Sequence, residues 1–423
     1  MKMTEALQKF IHDHAGDDLS GLLLNASRYT NIDIKMAVVQ IDARVRIKDK
    51  LPSWYNYDRL FFPSILATEQ CSSEITALYK QRLIQSGDCV CDLTGGLGVD
   101  TYFFSQKARC VIYLEKDKEY YEAARYNMDI LGASGVCVIN GDATEIITNN
   151  DSCISEANVF YIDPARRGEG NKRMFAISDC EPDIAKMWSL LRDKQCRIIV
   201  KLSPMLDIKK VLSQLPGINE IHVVSVKNEC KELLLIADDF SNKSSDTQMV
   251  CINYSSNGEE QLFRFSLQEE HSIVFFDYNC LNYEKVFNQT SKHFETVRLV
   301  ERLGRFLYEP NSSILKSGAY KSIALRFGIE KLNVNSHLYS SDNLISSFPG
   351  RIFKIKEIIP FNNRTCKTLA ATIPQANITA RNFPLTVEEL RKRLRISEGG
   401  NIYLFATTLP DNKKILIKCC KAL

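Results

Sequence analysis

Cys89-Val-Cys-Asp92-Leu-Thr94-Gly95-Gly96-Leu-Gly98-Val-Asp100 runs an apolar strand into a glycine-rich turn and then into a helical stretch. Glycines at such a turn permit positive φ and let the main chain approach a ligand with no Cβ in the way. Enzymes that use NAD, FAD or S-adenosylmethionine (SAM) all carry versions of it, so the turn alone does not choose among them.

The chain downstream narrows the choice. Cys110–Leu114, Val136–Ile139, Val159–Ile162 and Arg197–Leu202 are short β-branched runs separated by helical patterns, as in a buried parallel sheet. Glu220–Val226 and Glu232–Ile236 are separated only by Lys-Asn-Glu-Cys-Lys, too few residues for a parallel crossover, so this pair must be antiparallel. The expectation is an α/β fold, a Rossmann-like seven-stranded sheet with an antiparallel last strand, as in class I methyltransferases.

Four of the runs end in an acid: Asp92, Glu115, Asp142 and Asp163. Ligands of open α/β sheets bind beyond the carboxyl ends of the strands, so the four should converge on one crevice. Asp92, with Thr94, Gly95, Gly96 and Gly98, is expected to hold the amino-acid end of the cofactor. Asp100 argues against a dinucleotide, because a carboxylate at the following helix start repels pyrophosphate. SAM carries a sulfonium and an ammonium instead. Glu115 can accept both ribose hydroxyls, and Asp142 the exocyclic amine of adenine, although Asp142 equally suits a helix cap. Gln70, Lys116 and Ala143 complete the expected cofactor set.

Tyr161-Ile-Asp163-Pro164-Ala165-Arg166-Arg167 ends the fourth run, where the methyl group is expected. A ring amine is a poor nucleophile because its lone pair is delocalised. A carboxylate and a carbonyl fixed by proline can take its two N–H hydrogens and turn the lone pair toward the methyl carbon. Asp163 is therefore the leading catalytic candidate, with Pro164 fixing the turn and Arg166 the cation for a substrate phosphate. Lys201, at the end of the next run, reads first as a surface lysine.

Glu69-Gln-Cys-Ser-Ser-Glu74, the Asp92–Asp100 turn, Asp163-Pro-Ala-Arg166, Val200-Lys-Leu-Ser-Pro204 and Leu307-Tyr-Glu-Pro-Asn311 together carry a resemblance. The chain resembles the THUMP-like-domain class I SAM-dependent methyltransferases of Bacteroidetes type. It is more distantly similar to the trimethylguanosine synthase group of RNA methyltransferases. The resemblance implies SAM as cofactor and RNA as partner. Amine methyltransferases usually place an aromatic residue after Asp/Asn-Pro-Pro to stack on the base, where this chain has Ala165-Arg166. Phe175 and Tyr308 are the candidates to replace it. Uridine C5-methyltransferases share Asp-Pro-x-Arg but need a cysteine nucleophile ending the next strand, and Val200-Lys-Leu-Ser-Pro204 has none.

Outside the sheet, residues 1–60 read as a helical region, with Thr4 capping the first helix and a further helix around Glu69–Gln85. The expected division is 1–60 helical, 61–240 methyltransferase, 241–340 small α+β (ferredoxin-like) with helices around Lys285–Gln289 and Gly318–Phe327, and 341–423 a basic THUMP-like domain. The last holds 14 Lys+Arg against 6 Asp+Glu, while the whole chain is only +3. That imbalance suits a polyanion such as RNA or a solvated lysine-rich face equally. The fourteen cysteines form no CxxC pair, and Cys89, Cys91, Cys110 and Cys137 sit in apolar strand-like runs, so reduced, buried thiols are expected and no metal site. No signal-like or membrane-length apolar run occurs, and a cytoplasmic location follows as expectation. The combined expectation is methyl transfer from SAM to an exocyclic base amine of RNA. The alternatives are a methyltransferase for protein or small molecules, and a non-catalytic RNA-binding protein on a SAM fold.

Overall fold

Strand β1 (Cys89–Asp92) is wholly buried and pairs in parallel with β2 (Cys110–Glu115) on one side and β4 (Val159–Ile162) on the other. Strand β3 (Val136–Asn140) extends the sheet past β2, and β5 (Arg197–Leu202) extends it past β4. Then come β6 (Glu220–Val226) and β7 (Glu229–Ala237). Lys227 and Asn228, between them, both take positive φ, 52° and 63°. Such two-residue turns match the twist of a hairpin. Strand β7 runs antiparallel to β5, with Leu202 opposite Leu233 and Ile198 opposite Ala237. The expected antiparallel strand is thus present.

This computed structural model describes residues 3–166, 177, 180–238, 246–276 and 295–422. The chain divides into two units, Met1–Asn219 with Leu233–Ser244, and Glu220–Glu232 with Ser245–Leu423. In the first, the strand order is β7-β5-β4-β1-β2-β3. Aspartates cap the helices Lys118–Ile130, Ala143–Thr148, Ile184–Arg192 and Ile208–Gln214, through Asp117, Asp142, Asp183 and Asp207. Each satisfies amide N–H groups that a helix start leaves unpaired.

The amino-terminal residues are helical as expected, and Thr4 caps Glu5–Asp13 through the Leu7 amide. Helix Ile34–Lys50 buries Ala43 and Ile47 in one cluster with Leu97, Val99 and Phe103, so it packs directly behind the glycine turn. The single helix expected over Glu69–Gln85 is instead two, Ile65–Gln70 and Glu74–Arg82. Ser73 makes the break by turning its hydroxyl to the Thr76 amide as a new cap.

The cysteine expectation fails at one pair. Cys89 and Cys110 are register partners on β1 and β2, with Cα atoms 4.7 Å apart, and their sulfurs are bonded. That separation suits a disulfide, and register alone produces it. Cys137 is exposed, not buried, because β3 is the edge strand.

In the second unit, β8 (Gln248–Tyr254) lies parallel to β6, and β9 (Glu260–Ser266) antiparallel to β8. Met249 to Ile252 are buried in succession, so β8 needs cover on both faces. Beyond it, β10 (Phe306–Pro310), β11 (Glu330–Lys331), β12 (Tyr339–Ser341), β13 (Gly350–Pro360), β14 (Asn377–Arg381), β15 (Tyr403–Thr408) and β16 (Lys414–Lys421) form a sheet ordered β11-β12-β10-β13-β16-β15-β14. Helices Asn363–Thr372 and Val387–Leu394 cover one face through Leu369, Leu390 and Leu394. Phe353, Phe405 and Ile417 join Leu307, Leu332 and Leu338 in a separate cluster. The helix expected over Gly318–Phe327 is split, because Gly318 ends Ser312–Ser317 at φ 85° and a new helix starts at Ser322. The helix expected at Lys285–Gln289 lies outside the described residues.

Candidate active site

The turn after β1 is pinned from three sides. The Gly95 amide donates to the Leu114 carbonyl at 2.9 Å, and the Gly96 amide to Glu115 Oε2 at 2.9 Å. The Tyr113 hydroxyl donates to the Gly96 carbonyl at 2.6 Å. A Cβ on Gly95 would fall 2.1 Å from the Tyr113 ring, whereas one on Gly96 meets nothing closer than 3.8 Å. Gly95 is therefore required by packing, whereas the space beside Gly96 is not filled by a neighbouring side chain.

Asp92 is buried at the end of β1. Its oxygens accept from the Thr94 amide at 3.1 Å and the Thr101 hydroxyl at 2.6 Å. Burial, aided by the nearby Asp100 and Asp163, pushes its carboxyl up to about 7 against those bonds. No cation pairs with it among the described residues. Glu115 ends β2 half-buried and also accepts from the Asp117 amide at 2.8 Å. Each of its oxygens keeps acceptor capacity.

Asp142 does cap its helix, through Oδ1 to the Thr144 amide at 2.7 Å, which leaves Oδ2 without a partner among the described residues. Ala143 is buried behind it. Lys116 is exposed and its ammonium is paired with Glu181. Gln70 is exposed at the last position of its helix, and no bond joins it to the other predicted residues.

Asp100 turns out to be balanced inside the protein. Its carboxylate meets the buried Lys80 ammonium at 3.3 Å and accepts from Ser72 at 2.8 Å and Tyr161 at 2.7 Å. Burial alone would raise this carboxyl, but Lys80 and Lys201, with the Tyr161 and Ser72 bonds, hold it below its usual value. The electrostatic argument against pyrophosphate at this helix start therefore loses its force, since a neighbouring lysine offsets the charge. Sequence reasoning missed Lys80 because nothing in its own helix marks it as buried.

Asp163 sits one residue beyond β4, and its amide donates to the Thr94 hydroxyl at 2.6 Å, tying it to the glycine turn. Asp92, Thr94 and Asp163 are thus joined by hydrogen bonds at the ends of β1 and β4. The Lys201 ammonium bonds Asp163 Oδ2, and the two side chains are 14% and 33% exposed. Lys201 is consequently not the plain surface lysine of the sequence reading. Pro164 is half-buried, and the main chain at Ala165–Arg166 pairs with Cys180–Glu181. The Arg166 side chain and Phe175 lie outside the described residues. Tyr308 cannot stack on a base. It is buried in the second unit, edge-on to Phe348, with its hydroxyl bonded to the Asn343 carbonyl at 2.5 Å.

Residues 350–421 match the THUMP domain-like family model and residues 306–349 a ferredoxin-like domain model. A crystal structure described as that of a candidate methyltransferase from Porphyromonas gingivalis W83 is 34% identical over 100% of both chains, with a TM-score of 0.84. The chain belongs to the THUMP-like methyltransferase family. No curated protein matches it. A tRNA m1G37 methyltransferase from M. jannaschii, 12% identical over 39% of this chain and 50% of its own, has a TM-score of only 0.28 and carries no weight here.

The residues of this methyltransferase fit a cationic nucleoside cofactor. Asp92 is a buried carboxylate with no paired cation among the described residues, a Cβ at Gly96 would meet no close neighbour, and Glu115 and Asp142 each retain an acceptor.

Proposed function

We propose that this methyltransferase uses SAM to methylate an exocyclic base amine of RNA. Asp92 and the Thr94–Gly98 turn would hold the amino-acid end, Glu115 the ribose and Asp142 the adenine amine. The observation that carries the reading is the Thr94 bridge, which binds the turn of Asp92 to the amide of Asp163. It sets the proposed cofactor end and the proposed acceptor end in one hydrogen-bonded unit.

SAM supplies an activated methyl group on a sulfonium. The residues of the chain supply orientation: Asp163 and the Pro164 carbonyl accept the N–H hydrogens, so the amine lone pair faces the methyl carbon. RNA is supported by the THUMP domain-like match over 350–421 and by the 14 Lys+Arg from Ser341 onward.

The test is mass spectrometry of nucleosides from RNA of a strain lacking this protein, followed by restoration with the purified protein and SAM. One N-methylated base should vanish and return. A methyl group lost from a ribose oxygen instead, or no change in any RNA, would rule the reading out.

A further inference from the structure

The bond between Lys201 and Asp163 is not one the fold requires. Asp163 is already placed by its main chain, through its amide to Thr94 and the fixed φ of Pro164. The pair caps no helix and closes no hydrophobic cluster. It stands at the carboxyl ends of neighbouring parallel strands, where Ile162 of β4 lies opposite Val200 of β5. That edge is where open α/β sheets take ligands. An ion pair with a one-third exposed partner adds little stability.

Its effect on Asp163 is geometric. The terminal torsion of an aspartate is broad and two-fold, so an unheld carboxylate can present either oxygen or both. Here Oδ2 is taken by the Lys201 ammonium, and Oδ1 has no partner among the described residues. Asp100, Lys50 and Cys71 also lie within electrostatic reach of Lys201. The lysine is thus the link between the buried acid behind the glycine turn and the acid at the proposed acceptor position.

We propose that Lys201 is a positioning residue for methyl transfer, occupying one oxygen of Asp163 so that the acceptor meets a single, fixed oxygen. The inference rests on the proposed function. One amine N–H bonds Oδ1 and the other the Pro164 carbonyl. The nitrogen lone pair forms the new bond to the methyl carbon as the carbon–sulfur pair leaves on sulfur. The nitrogen, briefly cationic, then gives one proton to water.

The test uses the full-length protein with SAM and cellular RNA. In Lys201→Met, calorimetric affinity for SAM should stay within about twofold and KM for RNA should hold. The kcat should fall about 10- to 100-fold, as expected of a reacting group left slightly misplaced. Lys201→Arg should restore most of it. In an Asp163→Asn background, K201M should add less than about twofold, because no carboxylate remains to be held. If K201M melts early, Lys201→Leu carries the same expectations. An unchanged kcat, or an equal loss in both backgrounds, overturns the role of Lys201 and leaves the proposed function standing. Failure of the wild-type protein to methylate any RNA removes the proposed function and this role together.

Discussion

Lys80 and Asp100 meet at 3.3 Å with side chains 0% and 8% exposed, joining helix Glu74–Arg82 to the helix that follows the glycine turn. Ser72 completes the group by donating to Asp100 and accepting from Lys80 at 3.1 Å. The turn is therefore anchored from behind by charge as well as by apolar packing.

Breaking that pair should be costly. Lys80→Met strands a buried carboxylate and should lower unfolding free energy by about 3–5 kcal/mol. Adding Asp100→Asn should recover much of the loss, since no uncompensated charge remains. Urea unfolding of both variants checks this. Equal losses in the single and double variants would show that the pair is not coupled.

Asp92 predicts the pH dependence of cofactor binding. Its carboxyl titrates near 7 in the ligand-free protein, chiefly because it is buried. A bound cation favours the ionised form, so affinity for SAM should be flat above about 7 and fall roughly tenfold per unit below it. Binding near neutrality should also release a proton, seen as buffer-dependent heat in calorimetry. Asp92→Asn should abolish the slope. A wild-type profile flat from pH 5 to 8 would contradict the assignment.

The two adjacent glycines should respond differently. Gly95→Ala drives a methyl group into the Tyr113 ring and should destabilise the protein by about 1–3 kcal/mol or more. Gly96→Ala has space but must hold φ near 54°, a strain of about 1–2 kcal/mol. Thermal melting should therefore rank G95A below G96A, and a reversed order would mean that the turn is held differently.

The second unit should grow more stable as pH rises. Lys331 is buried, its ammonium bonded to the Asn333 and Val334 carbonyls at 2.8 and 2.9 Å, and burial pulls it down to about 7. Neighbouring His337 is pulled down to about 4 by burial, with Lys331 and Arg381 adding to it. Both groups bind protons more readily when unfolded, so stability should rise from about pH 4 to 6.5 through His337 and from about 7 to 10 through Lys331. Lys331→Met should flatten the upper part of the urea-midpoint profile, and retention of the full slope would exclude Lys331 as its source.

Much of the first unit is legible in the sequence. A strand, a glycine turn and a helix are local events, governed by φ preference, apolar runs and capping aspartates a few residues apart. The short gap after Val226, five residues in the sequence and two in the structure, leaves no room for a parallel crossover and is equally local. So the amino-acid order by itself determined the parallel sheet, its antiparallel strand and the acids at the strand ends. Tertiary structure alone decided which charges meet. Asp163 and Lys201 are 38 residues apart and Ser72 and Asp100 are 28, with no periodicity relating them. Strand order brought the first pair together, and helix packing behind the turn enclosed Asp100. The same holds for Cys89 and Cys110, for β8 beside β6, and for Tyr308, whose ring went to the core. Propensity acts over a few neighbouring residues. Pairing across a sheet depends on which strands become adjacent, and that is decided by burying the whole apolar surface at once.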